Sequence, residues 1–173
     1  FTRAVRSLAA EVERASPIRG QDMTKVGQDV GRMIALVAQA CLGNQHSGAI
    51  HSRVGAAWNA KPEALDAIRR SLVLLSDHEL NPSTFAVRVC ASTGASLPAA
   101  LLAGMTTLSG PLHGGVSDLA RAALNATSEG RIAEFLSENE QHTPYAFGFS
   151  HPLYPAGDPR AVDLLKHIPR NAS

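Results

Sequence analysis

Four side chains stand where chemistry could be placed: His78, His113, His151 and Arg160. Each of the three histidines lies at a predicted element boundary. Chain breaks are where side chains converge on clefts, on a scaffold that holds them. His113 sits in Gly110-Pro111-Leu112-His113-Gly114-Gly115, with glycines directly after it. Glycine lets other groups approach the backbone closely. A helix is predicted to follow, so its positive end faces the imidazole and disfavours the cationic ring. A neutral imidazole can donate a hydrogen bond to an oxygen that gains negative charge, as in enolisation. Arg160, in Asp158-Pro159-Arg160, falls in the first turn of a predicted helix. Free helix N–H groups and a guanidinium together suit a carboxylate. Asp158 itself reads as an N-cap. Asp77 and Glu79 flank His78 and read as orienting or solvated groups.

The elements that must hold these groups are helical nearly throughout. Phe1, Val5, Leu8 and Val12 mark a first helix. Val26, Val30, Met33, Ile34, Val37 and Cys41 form a second stripe, ended by Gly43. The stretch 46–55 is ambiguous. Leu65, Ile68, Leu72 and Leu75 mark a third helix. Asn81-Pro82 then gives an N-cap followed by a first-turn proline. That helix runs to about Thr93, before Gly94. Ser96 and Pro98 start another, through Leu108, rich in Ala99, Ala100, Ala103 and Gly104 and suited to close packing in the core or with a second copy. Helices are expected at about 117–126, at 131–138 and from Asp158 to about His167. Residues 141–157, with Pro144, Gly148, Pro152, Pro155 and Gly157, read as an extended functional loop. The fold class is all-α.

Composition narrows the function. The 173 residues are 45% hydrophobic and 18% charged, with net charge +1. That is a folded chain with no overall electrostatic case for nucleic acid or an anionic membrane. No run of about 18 apolar residues is present to span a bilayer. Cys41 and Cys90 read as core residues of a reduced, cytoplasmic protein. His46 and His51 lack zinc-site spacing, so no metal is expected. A nucleophile elbow, a dinucleotide fingerprint and a P-loop are all missing.

The motifs together resemble those of a known family. Leu74-Leu75-Ser76-Asp77-His78-Glu79-Leu80-Asn81-Pro82-Ser83-Thr84-Phe85 is similar to the first histidine motif of citrate synthases. Ser109 to Gly115 resembles their second. Gly148-Phe149-Ser150-His151-Pro152-Leu153-Tyr154, with Asp158-Pro159-Arg160-Ala161, resembles their third. The order agrees, as do the separations: 35 residues from His78 to His113 and nine from His151 to Arg160. The match covers roughly Ser71 to Leu165. It departs at Ser150, where the family has glycine, and at Val116-Ser117-Asp118, where it has Ala-Asn-Glu.

The resemblance implies an all-α, two-domain homodimer that condenses acetyl-CoA with oxaloacetate to citrate. Relatives that use propionyl-CoA give 2-methylcitrate. Residues 1–112 would be part of the large helical domain and 113–173 part of the small one. His113 and His151 would be catalytic, the first at the thioester oxygen and the second at the oxaloacetate carbonyl. His78, Asn81 and Arg160 would bind oxaloacetate. Pro144, Tyr145, Ala146, Phe147 and Gly148 would lie near the CoA. Acyl-CoA would be a substrate, with no permanently bound cofactor. The family's general base is an Asp well beyond the third histidine, and no Asp of this chain matches it. The chain is therefore expected to be a fragment, inactive alone. A non-catalytic helical paralogue acting as a dimerising or regulatory module is the reading from another class.

Overall fold

Local signals set most of the helix ends. A computed structural model describes residues 1–43, 47–139, 151 and 153–168. Among them are nine helices and no strand, so the chain is all-α. They are α1 (Thr2–Val12), α2 (Met23–Leu42), α3 (Ile50–Ala57), α4 (Pro62–Leu74), α5 (Pro82–Ser92), α6 (Leu97–Leu108), α7 (Val116–Ser128), α8 (Ile132–Glu138) and α9 (Pro159–His167). Asp22 caps α2 by accepting the Lys25 N–H at 3.2 Å. Gly43 ends that helix at φ +79°, a left-handed conformation in which a Cβ would be strained. Gly94 does the same after α5, at φ +84°.

The described residues divide into two units, one spanning Phe1–Thr107 and taking in His167, the other Leu108–Lys166. In the first, α1 packs on α2, α2 on α3 and α3 on α4. Leu8 and Met33 are the largest side chains fully buried, and Ala4, Ala38, Ala67 and Ala100 are buried as well. Gly104 lies against α5, where a Cβ would collide with Val87 and press on the Ser83 carbonyl. The small residues of α6 are therefore used within this chain, at least on that edge. In the second unit α7 packs on α8, burying Ala123 and Ala126.

Four readings are corrected or completed. The ambiguous stretch contains a helix, α3, whose N-cap Ala49 offers no side-chain hydrogen bond and so no signal. The face of α1 that packs is Ala4 and Leu8, while Phe1 is exposed. Cys41 is exposed and Cys90 half-buried, so neither is a sealed core residue in this chain. Ile34 of the α2 stripe is likewise half exposed, at 51%.

Candidate functional site

In the first unit, His78 is placed by a turn between α4 and α5. Leu75 closes α4 by donating to the Ser71 carbonyl at 2.9 Å. Asp77 then accepts the Glu79 N–H at 2.8 Å, a side chain mimicking a backbone turn. Glu79 takes φ +53°, the left-handed region that an ordinary side chain seldom occupies. Asn81 Oδ1 accepts the Thr84 N–H at 2.8 Å and the Ser83 hydroxyl at 2.9 Å, capping α5. His78 thus projects, exposed, from a turn that is bonded on both sides of it. The carbonyl oxygen of Asn81 is committed to the helix; its amide is the group with which it can meet a substrate.

The second unit carries the other candidates. His113, half-buried, lies in the turn between α6 and α7. Its N–H donates to the Gly110 carbonyl at 2.9 Å, and the Gly115 N–H reaches the same oxygen at 3.0 Å. The His113 carbonyl accepts from Val116 at 3.2 Å, at the start of α7. Both following glycines are required by space rather than by φ. A Cβ on Gly114 would stand 2.6 Å from the Leu108 carbonyl oxygen. One on Gly115 would stand 2.7 and 2.8 Å from the carbonyl oxygens of Gly110 and Ser109. The chain doubles back so tightly that only backbone fits.

His151 and Arg160 belong to one cluster. The Leu153 N–H donates to His151 Nδ1 at 3.2 Å. An Nδ1 that accepts carries no proton, so the neutral ring has its hydrogen on Nε2, a donor pointing away from its own backbone. Tyr154 packs its ring on the imidazole, with centroids 5.3 Å apart. The Arg160 guanidinium carbon lies 5.3 Å from the centre of the same ring. Asp158 holds the guanidinium edge, with Nε at 2.9 Å and the terminal nitrogen at 2.7 Å. It also accepts the Arg160 N–H at 2.9 Å, so its N-cap role stands beside the ion pair. Arg160 holds the Asp158 carboxyl below the usual carboxylate range, mainly through the side-chain hydrogen bond.

His151 and Arg160 are therefore brought together, through Tyr154 and Asp158. His78 and Asn81 belong to the other unit. Residues 144–148, expected near CoA, lie outside the described residues. Tyr154 as a bridging ring escaped the sequence reading. Its signal is faint: an aromatic three residues after His151 and six before Arg160. Among the described residues no group of three or more His, Cys, Asp or Glu could hold a metal.

The described residues thus form an all-α chain with three histidine-bearing turns, one of them joined to a half-buried arginine–carboxylate pair. Residues 4–172 match the family described as citrate synthase, C-terminal domain, and the chain belongs to the citrate synthase family. It is 36% identical over 104 residues to "Citrate synthase 2" of Bacillus subtilis, covering 60% of this chain and 28% of that protein. It is 35% identical over 91 residues to the "2-methylcitrate synthase" of Shewanella oneidensis, covering 52% of this chain and 24% of that protein. The matched stretches thus span about a quarter of the length of these curated relatives.

Proposed function

We propose that this chain supplies the three-histidine part of an acyltransferase site condensing acetyl-CoA with oxaloacetate to citrate and CoA. One observation carries the reading. Arg160 already holds a carboxylate, that of Asp158, through two of its nitrogens, and His151, whose Nδ1 accepts the Leu153 N–H and leaves Nε2 as the donor, packs on the Tyr154 ring that Arg160 also meets. A 2-oxo acid needs those two groups: a guanidinium for its carboxylate and a hydrogen-bond donor for its ketone. A substrate carboxylate would join or exchange with that of Asp158.

The chemistry then runs as follows. A base takes a proton from the methyl carbon of the thioester, and His113 donates a hydrogen bond to the thioester oxygen as its charge grows. The enol carbon attacks the oxaloacetate ketone, forming the carbon–carbon bond. The ketone oxygen, becoming an alkoxide, is stabilised by the hydrogen bond from His151 Nε2 and takes up the proton that the base had removed. Water then cleaves the thioester, releasing CoA as a thiol and leaving citrate. The family resemblance gives His78 and Asn81 a role in binding oxaloacetate as well. The base is not among the residues assigned in this chain, so the reaction belongs to the intact protein. That reading includes a homodimer and a cytoplasmic location; among the described residues no helix is long and apolar enough to cross a membrane.

The second reading, 2-methylcitrate from propionyl-CoA, is favoured by the nearly equal identity to a 2-methylcitrate synthase. The two differ by one methylene, a discrimination of about 1–3 kcal/mol. Thiol release by the intact protein, with oxaloacetate and each thioester in turn, tests both. Faster release from acetyl-CoA supports the first reading and faster release from propionyl-CoA the second. Release from neither defeats both and leaves the non-catalytic paralogue.

A further inference from the structure

We infer that Tyr154 is a positioning residue that orients His151 and Arg160 together for the 2-oxo acid, an inference that rests on the reading above. Three observations converge on it. Its ring lies against the imidazole of His151 on one side of the sequence and the guanidinium of Arg160 on the other, each at 5.3 Å. Its backbone is pinned independently of the ring: the Tyr154 N–H donates to the His151 carbonyl at 3.0 Å, and its own carbonyl accepts from Gly157 at 2.9 Å. Leu153, its neighbour in the same turn, donates to His151 Nδ1 at 3.2 Å and so selects the tautomer. The turn sets which nitrogen of His151 carries the proton, and the ring sets where that nitrogen and the guanidinium stand.

The chemistry explains why an aromatic suits the place. An aromatic face attracts a guanidinium stacked on it through its negative π cloud. It also gives a flat, rigid wall for an imidazole. An aliphatic side chain offers bulk without either. Asp158 grips the guanidinium edge through Nε and a terminal nitrogen, so ring and carboxylate restrain it in two different directions. Arg160 is thereby held by Asp158 in its plane and by Tyr154 against its face. His151 packs on the same ring, tilted 37° to it. A shift of one group is transmitted to the other through the ring they share.

The test uses the intact protein. Tyr154→Leu removes the π face while leaving the backbone bonds; Tyr154→Met is the second variant, should Leu pack poorly; Tyr154→Phe restores the face. Oxaloacetate affinity is read by calorimetry, and the KM for acyl-CoA by thiol release. The His151 tautomer and the Arg160 Nε–H exchange are read by NMR. Leu and Met should weaken oxaloacetate binding roughly three- to thirty-fold, the scale of a desolvated cation–π contact. The KM for acyl-CoA and the His151 tautomer, set by the Leu153 N–H, should stay unchanged, while the His151 ring signals should shift and Arg160 exchange should quicken. Phe should return all of these to wild-type values. Oxaloacetate binding and His151 and Arg160 signals unchanged in Leu and Met overturn the inference. A wild-type protein that binds no oxaloacetate sinks the reading above instead. The NMR signals then judge Tyr154 alone, and signals unmoved by Leu and Met overturn its role.

Discussion

His113 and His151 are held in opposite ways. Around His113 the restraint is backbone on backbone: two amides on the Gly110 carbonyl, and glycines pressed on the carbonyls of residues 108–110. Around His151 it is largely side chain on side chain: a ring, a guanidinium and a carboxylate locked together. The first arrangement tolerates no added atom near the turn. The second tolerates changes of backbone neighbours but fails when any one member is removed. Substitutions therefore separate stability from chemistry at His113, and join them at Arg160.

The largest expected effect on folding is at the His113 turn. Gly115→Ala sets a Cβ against two carbonyl oxygens that cannot move without unravelling the turn. A loss of about 3 kcal/mol in denaturant unfolding is expected. His113→Ala should cost less in unfolding than Gly115→Ala, yet lower turnover of the intact protein by roughly a hundred- to a thousand-fold, the scale of one lost oxyanion donor. Near-normal turnover would remove His113 from the mechanism. The comparison would break if Gly115→Ala proved neutral and His113→Ala unfolded the chain.

Removing one member of the other cluster should cost less. Asp158→Asn keeps the shape but takes away the charge facing Arg160, at about 1–2 kcal/mol. Acid should do the same reversibly. The carboxyl of Asp158 titrates below its unfolded value, so its stabilising contribution is complete above the ordinary carboxylate range. It is lost as pH falls through the lowered folded value. An Arg160 Nε–H resonance protected at pH 5 and exchanging freely only in stronger acid is the expected NMR result. Asp66, held between Arg69 and Arg70 on α4, has its carboxyl lowered to about 2 and should stay ionised through the ordinary carboxylate range. Titration of Asp66 near 4 would contradict that.

The smallest effect is expected at His78, whose turn is bonded by the side chains of Asp77 and Asn81 on either side of it. Glu79→Gly relieves a left-handed side chain but adds unfolded-state freedom. A gain of about 0.5 kcal/mol is expected from thermal unfolding. A marked loss would show that the Glu79 side chain, not the turn, holds His78.

Most of the helical framework was legible because its ends carry local chemistry. Asn81-Pro82, Asp158-Pro159, Gly43 and Gly94 each act within a few residues, and each marks a helix end in the structure. Helix α3 was not legible, since Ala49 gives no cap and Gly55 sits where a Cβ would strike Leu65, a contact no local pattern reveals. The candidate histidines were visible as boundary residues. What holds them was only half visible. Gly114 and Gly115 announced a close approach, but not that carbonyls 108–110 make it. Tyr154 stayed hidden because its partners meet only after a turn and a helix start bring positions 151, 154 and 160 together.

The account turns on Arg160 as the carboxylate anchor for oxaloacetate. Its direct test is the dissociation constant of oxaloacetate for the intact protein and for Arg160→Ala, measured by calorimetry with the His151 tautomer checked in both. Loss of a charged, partly buried hydrogen-bonding group predicts binding weaker by roughly ten- to a hundred-fold. An unchanged dissociation constant would contradict it.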